Sequence, residues 1–199
     1  MPYADVPAFL PTLRDRVELE ARALEFLILT ACRTGDLTGK PARKNTPAKP
    51  PLGWHHINLD EQTWTIPATK TDAEHVVPLS DPAVAVLKAI KDCGLPGERV
   101  FPMGKNDMWS LLAELAPGLT VHGFRASFKT WCDEETNVHS DVVETCLAHK
   151  IVGEEVEKAY RRGTFFEKRR ALMAAWGEFL SGATATSKVV ALRQPQAQG

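Results

Sequence analysis

No apolar run in this 199-residue chain approaches the length of a membrane span. The N-terminus, Met1-Pro2-Tyr3-Ala4-Asp5, lacks the basic-then-apolar pattern of a signal peptide, so a cytosolic protein is expected. Cysteine is scarce. Cys32, Cys93, Cys132 and Cys146 are scattered and never form C-x-x-C, which argues against a disulfide framework and for free buried thiols. Cys132, His139, Cys146 and His149 offer thiolate and imidazole ligands, but no matching knuckle precedes them and they fall across predicted helices; no metal is expected. An excess of charge is also missing. Lys and Arg number 24 against 25 Asp and Glu, a net charge of −1, which excludes a protein held to nucleic acid by bulk charge alone. There are no internal repeats.

What is present is an ordinary soluble composition, 44% hydrophobic and 25% charged, in a length that suits one domain. The charge is unevenly placed. Arg33, Lys40, Arg43, Lys44 and Lys49 face only Asp36 between residues 33 and 49, and nothing nearby in sequence neutralises them. A second basic cluster, Lys158, Arg161, Arg162, Lys168, Arg169 and Arg170, is diluted by Glu154, Glu155, Glu157 and Glu167.

The pattern is mainly helical. Residues 5–15 predict a short amphipathic helix. Residues 17–32 predict a second helix, apolar nearly all round at its C-terminal end and so central in the core, with Gly35 as its stop. Residues 38–53 carry prolines and glycines that exclude regular structure and predict a mobile basic loop. Three short strands follow, at 54–59, 62–67 and 74–79, with Lys70 on the polar tip between the last two. Ser80 caps a helix starting at Asp81-Pro82, and Asn106 or Asp107 caps another to about Ala116. Further helices are expected over 122–135, over 140–148, from 153 past 160, and over 165–180. The fold class is therefore α+β, mainly helical with a small three-stranded antiparallel sheet. Residues 1–182 form the domain and 183–199 a disordered tail.

One stretch stands out. His122-Gly-Phe-Arg125, Leu147-Ala-His149 and Ala159-Tyr-Arg-Arg162 bring imidazoles, guanidiniums and a phenol into forty residues. Those types suit gripping a phosphodiester and attacking it with a phenolate. Arg33, at the end of the apolar helix, sits on rigid scaffolding at the edge of the core.

Taken with Leu27-Ile-Leu-Thr-Ala-Cys-Arg-Thr-Gly-Asp36, Trp64-Thr-Ile-Pro-Ala-Thr-Lys70 and His75-Val-Val-Pro-Leu79, the sequence resembles the catalytic domain of tyrosine recombinases, the phage-type integrases. The likeness is greatest to integrases of P4-like prophages and genomic islands, and it covers about residues 3 to 180. It implies a six-residue site: Arg33, Lys70, His122, Arg125, His149 and Tyr160. A phosphodiester is anionic and gains charge on its non-bridging oxygens in the transition state. Arg33 and Arg125 suit the clamp on those oxygens, and His122 and His149 can add hydrogen bonds or help remove the tyrosine proton. Tyr160 is the expected nucleophile, giving a 3′-phosphotyrosine. The resemblance implies Lys70 as the acid for the departing 5′ oxygen and Asp36 as the residue holding the site side chains in place. Neither metal nor cofactor is needed, since the covalent intermediate conserves bond energy.

The implied partner is double-stranded DNA at attachment sites, with Lys40, Arg43, Lys44, Lys49, Arg161 and Arg162 as candidate contacts, and a tetramer on DNA for the full-length protein. The loop over 38–53 is an insertion relative to such integrases, and the 11-residue gap from His149 to Tyr160 is slightly longer than theirs. The chain begins where the catalytic domain begins, so arm-binding and core-binding domains are expected to be absent from it. Two rival readings are a non-catalytic DNA-binding remnant of an integrase and a type IB topoisomerase-like enzyme.

Overall fold

The fold was described from a computed structural model, which describes residues 1–42, 44, 48–68, 74–149 and 165–182. Among these residues lie eight α-helices, two 3-10 turns and one small sheet. A 3-10 turn at Tyr3–Asp5 leads into α1 (Val6–Arg14), followed by α2 (Leu19–Thr30) and the short α3 (Thr34–Thr38). A second 3-10 turn, Trp54–His56, precedes β1 (Ile57–Asn58), β2 (Thr63–Ile66) and β3 (His75–Pro78). The rest is helical: α4 (Asp81–Asp92), α5 (Asp107–Leu115), α6 (Gly123–Glu135), α7 (Ser140–Cys146) and α8 (Phe166–Leu180). The mainly helical α+β reading with a three-stranded antiparallel sheet is what the structure has.

Helix α2 is the axis of the core. Leu24, Phe26, Leu27, Ile28 and Leu29 are essentially inaccessible, so apolar side chains leave it in every direction, as the sequence pattern demanded. It packs against α1, α4, α5 and α8. An aromatic cluster ties α8 to α6: Trp176 meets Trp131 at 5.0 Å and Phe128 at 5.5 Å between ring centroids. The Trp176 indole N–H donates to the Ile28 carbonyl at 2.9 Å, which satisfies its one polar atom inside the core. Gly177 lets α8 approach closely, because a Cβ there would stand 2.8 Å from Ser80 Oγ.

The sheet has the order β1-β2-β3 with antiparallel neighbours, and its register pairs Trp64 with Val77 and Ile66 with His75. Trp64 and Ile66 are buried on one face, which packs Trp64 against Phe26 of α2. Arg169 of α8 is buried and donates to the Val76 carbonyl at 2.7 Å, fastening α8 to the last strand.

Three expectations need correction. The first predicted strand is largely a 3-10 turn: only Ile57 and Asn58 pair with β2, because the Gly53 N–H donates to the His56 Nδ1 and curls the chain. Helix α2 ends at Thr30 rather than at residue 32. Its cap is Ala31 in the left-handed region (φ 49°), and Gly35 lies inside α3. The basic loop is not wholly irregular either. Lys40 and Lys49 pair through two 2.9 Å backbone hydrogen bonds, closing the excursion like a clasp. Gly39 makes the turn possible at φ 76°, where a side chain would meet the Lys49 carbonyl at 2.9 Å. The helix expected past residue 153 and the tail at 183–199 lie outside the described residues.

Trp176→Ala should cost about 3–5 kcal/mol, since it removes a fully buried ring and one hydrogen bond to the Ile28 carbonyl. Urea unfolding of the two proteins measures it. A loss within about 1 kcal/mol, no more than an ordinary point substitution gives, would contradict this packing.

Candidate functional site

The site is built where two helices end. Helix α7 closes in a Schellman arrangement: the His149 N–H donates to the Glu144 carbonyl at 2.9 Å and the Ala148 N–H to the Thr145 carbonyl at 3.0 Å. The closure puts Ala148 in the left-handed region, with φ 49°. Helix α2 also ends on a left-handed alanine, Ala31. Both left-handed alanines turn their carbonyls toward arginines. Arg125 Nη1 donates to the Ala31 carbonyl at 2.5 Å, and Arg33 Nη2 donates to the Ala148 carbonyl at 3.0 Å. Arg125 Nη2 adds a 2.7 Å bond to the Leu147 carbonyl. The negative ends of two helix dipoles thus hold two guanidiniums.

Arg125 is only 4% exposed. Burial, reinforced by Arg33, lowers its pKa from the usual arginine value, so its charge is strained but retained. His149 completes the cluster. Its Nε2 lies 3.0 Å from Arg125 Nη2 and its Nδ1 2.6 Å from Glu144 Oε2. Lys129 of α6 holds the other Glu144 oxygen at 2.5 Å. The Lys129 hydrogen bond, helped by His149, pulls the Glu144 carboxyl below the ordinary carboxylate range.

A cleft of about 230 Å³ opens beside this cluster, lined by Arg33, Asp36, Lys49, His75, Ala148 and His149 among others. Asp36 is buried and fully engaged: Oδ2 accepts the Arg33 N–H at 2.9 Å, and Oδ1 takes the Lys49 ammonium at 2.5 Å. Asp36 thus ties the Arg33 backbone to Lys49. A wider cleft shares Glu74, His75 and Thr145 with this one and runs on to Arg169 and Arg170.

The structure thus gathers Arg33, Arg125, His149 and Asp36. His122 is at the N-terminal boundary of α6, exposed and outside the cleft lining. Arg125, one turn further on, is buried against the Ala31 and Leu147 carbonyls. Lys70, Arg43, Tyr160, Arg161 and Arg162 lie outside the described residues. Among the basic-loop candidates, Lys40 and Lys44 are exposed, whereas the Lys49 side chain is 16% exposed and engaged by Asp36. The charge of the first basic cluster is therefore partly neutralised, contrary to the expectation from sequence.

Two residues escaped the sequence reading as site groups, Glu144 and His75, and a third, Lys49, was read only as a DNA contact. Lys49 was weighed only as one of several loop cations. Glu144, five residues before His149, carried a signal only in retrospect, as an acid on the helix that ends at that histidine. His75 lines the cleft, and burial, then Arg169, push its imidazole down to about 4. The four residues weighed for zinc are spread apart in role: Cys132 and Cys146 are buried, His139 caps α7 by accepting from the Asp141 N–H, and His149 serves Arg125 and Glu144.

With this geometry in hand, the solved structures that resemble the chain can be named. XerA recombinase matches with a TM-score of 0.56 at 12% identity, over 83% of this chain and 62% of that one. A lambda integrase(75-356) dimer bound to a COC′ core site matches with a TM-score of 0.50 at 19% identity, over 74% of this chain and 56% of that one. The fold is that of a tyrosine recombinase catalytic domain. In sequence, the chain is 33% identical over 149 residues to the prophage integrase IntA of Escherichia coli K12, covering 69% of this chain and 36% of IntA. It is 30% identical over 190 residues to the prophage integrase IntZ of the same strain, 89% of this chain and 44% of IntZ. The integrase of enterobacteria phage P4 is 25% identical over 211 residues, 90% of this chain and 45% of that protein. No family model matches the chain. The chain belongs with the prophage and phage integrases, and it spans less than half the length of these relatives.

Two measurements test the electrostatics. His75 is held neutral, with its folded pKa below the unfolded value. Its contribution is complete above about pH 6.5 and is lost as pH falls toward 4, because the unfolded chain then binds the proton more readily. The loss should be on the order of 3 kcal/mol. Denaturant unfolding at pH 7 and pH 4 should show it, and His75→Gln should remove that part of the slope. Lys49→Gln strips the buried Asp36 of its counter-ion and should cost about 3 kcal/mol. Adding Asp36→Asn should restore most of that stability, and a double variant no more stable than the single one would count against the pair.

Proposed function

We propose that the chain is the strand-cleaving and rejoining domain of a site-specific DNA recombinase of the integrase type. The observation that carries this reading is the pair of guanidiniums, Arg33 and Arg125, held at the ends of α2 and α7 beside His149. Arg125 is buried, and the partners it has are carbonyls and an imidazole. Its charge is left for an incoming anion. Two such forks suit the non-bridging oxygens of a phosphodiester, whose charge rises in the transition state.

Tyr160 attacks the phosphorus. Its Oη–P bond forms as the P–O5′ bond breaks, leaving a 3′-phosphotyrosine and a free 5′-hydroxyl. A 5′-hydroxyl from another strand then attacks the phosphotyrosine and releases Tyr160, which exchanges strands without external energy. Lys70 protonates the leaving oxygen and His149 assists the phenol. The roles of Tyr160 and Lys70 rest on the family likeness. The DNA partner is supported by the lambda integrase structure, which is bound to a core site. Assembly as a tetramer on DNA belongs to the same reading.

The test uses a library of nicked duplexes with randomised sequence, because a nick beside the cleavage point lets the 5′ fragment escape and traps the covalent adduct. Wild type should give denaturation-resistant protein–DNA adducts with a recoverable consensus, and Tyr160→Phe should give none. Arg33→Gln should slow adduct formation by about 10²- to 10³-fold, the usual effect of removing one transition-state donor. Absence of adducts from wild type, together with duplex binding, would favour a non-catalytic remnant. Relaxation of supercoiled plasmid with no sequence preference would favour a topoisomerase.

A further inference from the structure

The backbone of Lys49 is fastened to the fold. Its N–H donates to the Lys40 carbonyl and its carbonyl accepts the Lys40 N–H, each at 2.9 Å. Three residues on, the Leu52 N–H donates to the Leu37 carbonyl and the Leu52 carbonyl accepts the Val100 N–H, both at 3.0 Å. Leu52 is buried, so the strip behind Lys49 is tied to α3 on one side and to the segment before α5 on the other. Gly35 of α3 leaves room for the Lys40 stem, since a Cβ there would overlap Lys40 Cε. The base of the basic loop is thus part of the packed structure, and Lys49 starts from a fixed point.

From that base its side chain enters the lining of the cleft of about 230 Å³ and reaches Asp36 Oδ1 at 2.5 Å. An ammonium has three N–H donors. Asp36 takes one, and among the described residues the other two have no hydrogen-bond partner. Arg33, on the same lining, gives one side-chain N–H to the Ala148 carbonyl and keeps the rest of its fork. Both Asp36 oxygens are occupied, by Lys49 and by the Arg33 N–H. Without Lys49, Asp36 Oδ1 would lie bare beside the cleft and repel an anion. The charge balance registers at His75 on the opposite wall. Burial and then Arg169 push that imidazole down, and Arg33 and Lys49 add to the effect although Asp36 opposes it.

We infer that Lys49 is a substrate-binding cation of the recombinase site: its ammonium keeps one N–H on Asp36 and gives another to a non-bridging oxygen of the phosphodiester that Arg33 clamps. This rests on the recombinase reading above and deepens it, because the sequence placed Lys49 only among loop cations that touch DNA. The lysine has two effects. It covers the Asp36 carboxylate, which removes a repulsion, and it donates a charge-assisted hydrogen bond, which adds an attraction. The contact itself moves no proton and breaks no bond. The chemistry recognised is that of a tetrahedral oxyanion, carried in the reaction by DNA.

Two variants separate these effects. Lys49→Met leaves Asp36 uncovered. Asp36→Asn combined with Lys49→Met leaves the net charge unchanged, keeps an oxygen for the Arg33 N–H, and removes a buried pair together, which proteins tolerate far better than losing one partner. In the first arm, the full chain is titrated with inorganic sulfate at constant ionic strength, and NMR follows the Arg33 Nε–H signal, identified by its loss in Arg33→Gln. Wild type should bind sulfate, Lys49→Met most weakly, and the double variant about 10-fold or more below wild type, the size of one hydrogen bond to a charged group. A double variant that binds sulfate as tightly as wild type would reduce Lys49 to a cover for Asp36 and overturn the inference. So would a wild type whose Arg33 signal sulfate does not move.

In the second arm, adduct formation on the nicked consensus duplex is measured at saturating DNA. The double variant should be about 10²-fold slower, as for loss of one transition-state donor, and Lys49→Arg, which keeps a cation, should recover part of the rate. A deficit that vanishes at saturation would make Lys49 an ordinary backbone contact, and an unchanged rate beside weakened sulfate binding would make the cleft a free-anion site. Either result sinks the role in the reaction. If the wild type forms no adduct, the recombinase reading fails, and the sulfate arm still decides whether Lys49 and Arg33 share an oxyanion.

Discussion

The site depends on two alanines in a conformation that alanine disfavours. Ala31 and Ala148 end α2 and α7 with φ of 49° each, at a cost on the order of 1 kcal/mol apiece. The return is directional. The turn at each helix end swings a carbonyl outward, and those two carbonyls accept from Arg125 and Arg33. Glycine would relieve the strain, but it would also loosen the direction of the carbonyl. The guanidiniums do not hang from flexible surface segments. They are clamped between helix ends that are themselves packed into the core through α2 and α7.

The same clamp explains how a chain with a net charge of −1 can keep a locally positive cluster. Net charge governs long-range attraction, whereas the local field is set by which charges are already paired. The nearest acids in the cluster are committed: Asp36 to Lys49 and the Arg33 N–H, Glu144 to Lys129 and His149. The arginines are held by carbonyls, which orient a guanidinium without cancelling its charge. Positive potential therefore survives in the cleft although the chain as a whole is nearly neutral.

Much of this was legible in the sequence, and the rest was not, for identifiable reasons. The apolar periphery of α2, the alternation of Trp64 and Ile66, and the Ser80-Asp81-Pro82 start of α4 are local patterns, and each produced the element it implied, although the Ser80 side chain does not cap α4. The pairing of Arg33 with Ala148 and of Arg125 with Ala31 spans 115 and 94 residues, and no local rule reports it. A left-handed alanine has no compositional mark, unlike a glycine, so the end of α2 was placed too late and Gly35 was given a role it does not have. Lys49 was legible only as one of several candidate DNA contacts, because nothing local in the proline-rich loop ties it to Asp36. Only the Lys40–Lys49 clasp brings it back to Asp36. His122 stands exposed at the start of α6, whereas Arg125 one turn on is buried, a difference in burial that the three-residue spacing does not report.

These misses share a cause that bears on how the site is assembled. Most residues legible from sequence contribute charge, Asp36 with its hold on the Arg33 backbone being the exception. The residues that were missed contribute orientation: an acid that sets a ring, a lysine that occupies a carboxylate, two alanines that aim carbonyls. Residues with a chemical role are constrained in type and so leave a motif. Residues that orient them are constrained only in geometry and can be supplied by any element that reaches. Helix α7 shows both kinds in one turn, since its last residues present Ala148 to Arg33, Leu147 to Arg125 and His149 to the cleft, while Glu144 binds the histidine at ring and backbone. A short helix with a strained end therefore does more to shape the cleft than the motif residues it gathers, and the orientation of His149 follows from how that helix stops.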